Sequence, residues 1–241
     1  MAIDVELRSK IDSVSAASIS TRLIKRGIRN CVLRGVSPVA LSTKVMFGPA
    51  YTLRYIPARE DIDGAEYGAD PGNLQRQAID FIPQGHVLVI DCRGMQGVAA
   101  IGAVLARRLR FRGAAGVVAD GGIRDPEDMS TLGLPAFGLG PAILPNFVAH
   151  HAVDIGRPIA CGGVPIYPGD YILGDSDGVV VIPPKYLAEV VEESYELSIR
   201  EEFLKFELDR GRPAQGTYPP DDATLARYRS WQAERPSATS D

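Results

Sequence analysis

Ala114-Ala115-Gly116-Val117-Val118-Ala119-Asp120-Gly121-Gly122-Ile123-Arg124-Asp125 is the stretch on which the reading of the fold turns. A short apolar run that ends in paired glycines, with a cation beside an anion directly after it, describes a buried strand that delivers polar side chains to a cleft. Upstream, Gly85-His86-Val87-Leu88-Val89-Ile90-Asp91 has the same strand character, and Gly97 to Phe111 between the two carries helical spacing. Strand, helix and strand of these lengths make a βαβ crossover with parallel strands. The carboxyl ends of such strands share one edge of the sheet, where ligands bind in these units. Asp91 to Gly94 and Asp120 to Asp125 are therefore expected to face one crevice.

Outward from this unit, Ile3 to Gly27 reads as an N-terminal helical arm, capped by Ser13 or Ser15 and closed by Gly27, with Ile19, Leu23 and Ile24 on one face. Gly48 to Tyr55 alternates as a strand, Pro57 to Pro71 is a polar loop, and Leu74 to Phe81 is a short helix. Leu134 to Gly138 and Ile159 to Cys161 read as short strands. Tyr171 to Leu173 and Val179 to Ile182 flank a turn rich in Asp and Gly and form a hairpin. Tyr186 to Arg210 is one long helix closed by Gly211, and residues 211–241, with Pro213, Pro219, Pro220 and Pro236, read as an extended tail. No internal repeat or linker divides the chain, so residues 1–241 are read as one α/β domain.

Of 241 residues, 45% are hydrophobic and 23% charged, the balance of an ordinary globular chain. A net charge of -4 and a pI near 5.5 give a nucleic-acid partner no global electrostatic support. Arg107, Arg108, Arg110 and Arg112 alternate with Leu105, Leu109 and Phe111, as on the solvated face of an amphipathic helix. Cys31, Cys92 and Cys161 stand far apart and outside any CxxC pair, arguing against a disulfide framework or a zinc site and for a reducing cytoplasm. No stretch approaches the ~20 apolar residues that span a bilayer, so no membrane association is expected.

Two segments carry candidate chemistry. From Asp91 to Gly102 the chain is glycine-rich and leads into a helix, whose free N–H groups and dipole favour an anion. It does not match the dinucleotide fingerprint GxGxxG. Arg124 and Asp125 form the second. Adjacent residues diverge in an extended chain, but at a turn both can line a pocket, where the carboxylate suits a hard cation such as Mg2+ and the guanidinium a substrate carboxylate or an enolate oxygen. The alternative is a surface turn that starts a helix at Pro126. His150 and His151 fall in a helix-like stretch where adjacent rings cannot share a metal, and His86 opens an apolar strand; all three read as structural or surface residues. Asp170, Asp175 and Asp177 read as turn residues, and no Ser-His-Asp, Cys-His or Gly-x-Ser-x-Gly pattern is present.

Gly48-Pro49-Ala50-Tyr51-Thr52, Gly85 to Asp91, Arg112 to Asp125, and Pro168-Gly169-Asp170 through Gly174-Asp175-Ser176-Asp177-Gly178 to Pro183 follow one another in an order that resembles the RraA-like family. That family includes 4-hydroxy-4-methyl-2-oxoglutarate aldolases and regulators of ribonuclease E, and the resemblance covers roughly residues 15 to 190. It implies an α/β/β/α sandwich in a homotrimer or homohexamer with sites between subunits, and a metal-dependent lyase that releases pyruvate from a 4-hydroxy-2-oxo acid or from oxaloacetate. Carried over, Asp125 would anchor Mg2+ or another divalent cation such as Mn2+. Arg124 would bind the 2-oxo acid and stabilise its enolate, and the chain at Gly102, Ala103, Val104 and Leu105 would hold the substrate carboxylate. The family's aldolases carry an Asp where this chain has Ala103, a departure that bears on metal affinity and proton transfer. Two other readings follow from the resemblance: a dehydratase of a sugar-derived acid, and a non-enzymatic regulator that binds ribonuclease E.

Overall fold

In the computed structural model, residues 5–40, 45–64, 66 and 69–234 are described. The chain opens with helices α1 (Val5–Ile11) and α2 (Ala16–Lys25), then strands β1 (Ser37–Ala40) and β2 (Met46–Pro57). Helix α3 (Leu74–Phe81), strand β3 (Val87–Ile101), helix α4 (Ala103–Phe111) and strand β4 (Gly116–Ile123) follow, then α5 (Pro126–Thr131), β5 (Ala136–Gly138) and β6 (His150–Ile155). Strands β7 (Ile159–Cys161), β8 (Val164–Ile166), β9 (Tyr171–Asp175) and β10 (Gly178–Ile182) precede the long helix α6 (Leu187–Asp209), the short turn α7 (Ala214–Thr217) and α8 (Asp222–Glu234).

The fold is mixed α/β. Its main sheet runs β1-β5-β4-β3-β2-β9-β10, with β6 also on β2 and with β7 and β8 as a separate pair. The expected crossover is present, since β3 and β4 are parallel through Val87–Ile90 and Gly116–Ala119. Strand β2 is shared. Its first residues pair antiparallel with β9, and Ala50–Arg54 pair parallel with β3, so the sheet has two limbs. Val32 bridges to Val180 just before β1, which brings the two edges close to closure.

Period-two alternation sorts the buried strand side chains among three cores. Val87 and Val89 of β3, Val118 of β4 and Phe137 of β5 face inward, where they meet Ile172, Val179 and Val181 of the other limb. Leu88 and Ile90 of β3 and Val117 and Ala119 of β4 face outward, under Ala78 and Ile79 of α3 and Ala106 and Leu109 of α4. On the second limb Leu173, Val180 and Ile182 face Ile19 and Leu23 of α2 and Val190 and Val191 of α6. Helices, limb, limb and helices make the four layers of an α/β/β/α sandwich.

Four expectations change. The N-terminal arm is two helices: the chain breaks at Asp12–Ser15, where the Ser15 side chain accepts the Ser18 N–H and Asp175 Oδ2 accepts the Ala16 N–H at 2.7 Å. Ile24, placed on its apolar face, is 48% exposed, and Ile3 lies outside the described residues. Residues 97–101 are strand, and the helix begins only at Ala103, because the apolar run Val98 to Ile101 is buried beside the end of β4. His150 and His151 lie in strand β6, on opposite faces. The tail is not extended up to Glu234. Asp221 Oδ1 accepts the Thr224 N–H at 2.8 Å and so starts α8, which Glu207 holds to α6 through Arg227 at 2.7 Å. Phe203 packs against Tyr228 and Trp231 beside this pair. Among the described residues no helix is long and apolar enough to cross a membrane.

Candidate functional site

The paired glycines that end β4 have a steric reason. A Cβ on Gly122 would lie 2.2 Å from Ala142 Cβ and 2.5 Å from the Gln96 carbonyl, so the strand end is enclosed on both sides. Immediately beyond, Asp125 adopts a left-handed conformation, φ 56° and ψ 52°, which Asp tolerates better than most residues. This turn defeats the divergence of neighbouring side chains in an extended segment. Arg124 and Asp125 line the same cleft of about 380 Å³, their side chains in loose contact at 3.9 Å.

Gly102, Val104 and Leu105 supply one wall, at the start of α4. The Ala103 N–H donates to Asp125 Oδ2 at 3.2 Å, so the carboxylate caps α4 and leaves its own helix α5 without a side-chain cap. The methyl of Ala103 is buried behind the wall. The next two amides, Val104 and Leu105, belong to the first turn, whose N–H groups have no partner within a helix. Gly102 is fitted to this arrangement, because a Cβ there would stand 2.8 Å from Asp125 Oδ2 and 3.2 Å from Arg124 Cβ.

Five lining residues escaped the sequence: Gln75 and Arg76 on α3, and Pro145, Asn146 and Phe147 in the turn before β6. Gln75 carried a signal. It shares a buried face with Ala78 and Ile79, and its Nε2 donates to the Ala100 carbonyl at 2.7 Å. Asn146 Nδ2 reaches the Ala99 and Ala100 carbonyls at 3.3 and 3.4 Å. Behind them Tyr55 is buried, with its phenol pushed well up by desolvation, and it stacks on His150 at 4.9 Å. Burial pushes His150 down to about 4, so it is neutral; Nδ1 faces Arg93 Nη2 at 3.3 Å, and the buried Nε2 has no hydrogen-bond partner among the described residues.

Asp91 and Asp120 do not line this cleft, contrary to the expected common crevice. Between Ile90 and Met95 strand β3 leaves its register and loops outward, and the two carboxylates secure that excursion. Asp91 accepts the Arg93 and Ala160 amides at 3.0 and 3.4 Å. Asp120 accepts those of Cys92, Gly94 and Gly162 at 2.5, 3.2 and 3.3 Å. Desolvation nevertheless pushes the Asp120 carboxyl up to about 6. A carboxyl whose folded pKa exceeds its unfolded value contributes most to stability below the unfolded pKa, and that contribution is lost as pH rises through the folded one. Urea denaturation is expected to show the stability difference between wild type and Asp120→Asn shrinking from about pH 4 to about pH 6 and level above it. A difference that grows with pH would mean that the three amides outweigh burial.

Among the described residues Asp125 is the one carboxylate lining the cleft, and no group of three His, Cys, Asp or Glu side chains could hold a metal. These residues fit a hydrated Mg2+, which keeps several waters and needs only one or two carboxylates, and do not fit a closed shell of protein ligands. Ala103 offers no second oxygen.

The profile of the RraA-like family, described as Aldolase/RraA, matches residues 16–181. Protein DlpA of Legionella pneumophila is 30% identical over 205 residues, 85% of this chain and 32% of that protein. A protein of Halalkalibacterium halodurans named "Putative 4-hydroxy-4-methyl-2-oxoglutarate aldolase" is 44% identical over 102 residues, 41% of this chain. The chain thus spans about a third of the first relative and 47% of the second. Among solved structures, Streptomyces coelicolor RraAS2, described as an unusual member of the RNase ES inhibitor RraA family, superposes with a TM-score of 0.73 at 30% identity over 88% of this chain and 99% of that one. By its matched profile and by its fold, this chain belongs to the RraA-like family.

Proposed function

We propose that the cleft is the active site of a lyase that releases pyruvate from a 2-oxo acid, working with Mg2+ or Mn2+ on Asp125 in a homotrimer or homohexamer. The observation that carries this reading is the convergence of Arg124, Asp125 and the first turn of α4 on one small cleft. The named aldolase among its relatives supports it. When bound, the cation polarises the 2-oxo carbonyl and offsets charge developing on its oxygen. Arg124 holds the substrate carboxylate in a forked pair together with the amides of Val104 and Leu105, and it faces the enolate oxygen as the bond breaks. Ile101, Leu105 and Phe147 give the cleft an apolar lining, which strengthens these charged contacts.

Among the described residues no histidine and no second carboxylate lines the cleft to take a hydroxyl proton, as retro-aldol cleavage requires. Decarboxylation makes no such demand. In oxaloacetate the C3–C4 electron pair becomes the C2–C3 double bond of the enolate, CO2 departs, and a proton from water at C3 completes pyruvate. The test is pyruvate release from oxaloacetate and from 4-hydroxy-4-methyl-2-oxoglutarate, read with lactate dehydrogenase, in Mg2+ and in EDTA. Release that stops in EDTA and returns with Mg2+ is expected, faster on oxaloacetate. Silence on both substrates sinks the lyase and turns attention to dehydration of a sugar-derived acid. Gly102→Ala is expected to cut turnover at least tenfold without unfolding the protein, because its Cβ displaces the Asp125 carboxylate. Wild-type rates from that variant would show that the seating of Asp125 is irrelevant. The likeness to RraAS2 supports a second reading, binding to a ribonuclease, which Arg124→Ala would leave intact.

A further inference from the structure

Arg76 lines the cleft and has no part in the reaction just described. It stands in the first turn of α3, where its N–H donates to Asn73 Oδ1 at 3.1 Å, so the helix cap fixes where its side chain departs. An arginine at this position would ordinarily pair with an acid four residues on, here Asp80. That partner is taken, because Asp80 Oδ1 accepts from Arg108 Nε of α4 at 2.7 Å. Arg76 is half-buried and enters no ion pair among the described residues. Among the described residues the cleft therefore carries two guanidiniums, Arg76 and Arg124, against the single carboxylate of Asp125. A guanidinium without an ion pair, in a cleft that Phe147 and Ile101 also line, is satisfied best by an anion that meets its fork of donors.

The geometry points to Arg76 as the residue that reads a second acid group: it pairs with the carboxylate remote from the one Arg124 holds, so that the cleft selects dicarboxylic over monocarboxylic acids. This rests on the reading of Arg124 as the anchor of the 2-oxo acid. The two guanidiniums depart from different elements, α3 and the end of β4, so a ligand bridging them crosses the cleft with its central carbons beside Asp125 and the start of α4.

Calorimetric binding of two unreactive acids of equal length, glutarate and pentanoate, in Mg2+ separates this proposal from the lyase reading. Wild type is expected to bind glutarate at least about tenfold more tightly, as a charge-assisted pair commands. Arg76→Gln should bring the ratio near one by weakening glutarate alone, and Arg76→Lys, which keeps the charge but loses the fork, should fall between. Arg124→Gln should weaken both acids, and Arg107→Gln, outside the cleft and away from Asp80, should leave the ratio unchanged. Equal affinities in wild type, or a ratio that survives Arg76→Gln, overturns the proposal even if pyruvate is released. A ratio that depends on Arg76 in a protein that releases no pyruvate upholds it and discards the lyase.

Discussion

Replacing Arg124 by Ala is expected to lower kcat/KM for pyruvate release by about 10²- to 10³-fold, the loss typical of removing one group that stabilises developing negative charge. Asp125→Ala should do at least as much, since no other carboxylate among the described residues lines the cleft. Each effect should appear mainly in kcat, with far-UV circular dichroism unchanged. The Asp125 variant has a second consequence, because the same carboxylate caps α4 at the Ala103 amide. Losing a cap costs about 1 kcal/mol, so Asp125→Ala should also melt slightly earlier. Asp125→Asn separates the two roles: it keeps an oxygen for the amide and removes the charge, so it should restore the melting temperature and not the turnover. Full activity in either alanine variant would remove these residues from the chemistry.

The largest stability effect is expected from Phe137→Ala. Phe137 is fully buried on β5 and belongs to the inner core between the two limbs. Its ring abuts β9 so closely that a Cβ on Gly174 would lie 2.8 Å from Phe137 Cζ. Truncating an enclosed aromatic costs about 3–5 kcal/mol, because the walls of the cavity are strands that cannot collapse inward without breaking their ladders. Against a typical total of about 5–15 kcal/mol this is severe, and the melting temperature should fall by roughly 10 °C. A loss below about 1 kcal/mol would show that the limbs are held by their outer helices alone.

The strands of the crossover were legible because Val87 to Ile90 and Val117 to Ala119 are continuous apolar runs, the mark of a layer covered on both faces. The hairpin of β9 and β10 was legible from its turn residues. The break in the N-terminal arm was not, because one of its caps is Asp175, which lies far along the chain. Nor was α8, where prolines at 213, 219 and 220 suggested an extended tail while each falls outside the helix that begins at Asp222. At the site, Arg124 and Asp125 could be singled out because they directly follow a buried strand, whereas the start of α4 at Ala103 could not be separated from the strand before it. Arg76 and Asn146 could not be singled out, since nothing local marks a residue whose neighbours are brought by a different layer. Residues 97–101, the end of β3, were read as helix because Gly-Val-Ala-Ala-Ile is equally compatible with a helix entry and with a buried strand.

Strand β2 also bears on how the molecule comes to be made. Its early pairing with β9 joins Pro49 to Tyr171, whereas its pairing with β3 and the β3–α4–β4 crossover involve much nearer partners. On a ribosome the near pairings assemble first, and the face bearing Val89, Val118 and Phe137 waits for most of the chain to be synthesised before its cover arrives. For that interval it is an open, sticky half-barrel with an unpaired edge, so chaperone engagement during translation and slow recoding near codon 170 should govern the yield of native protein more than any surface substitution does.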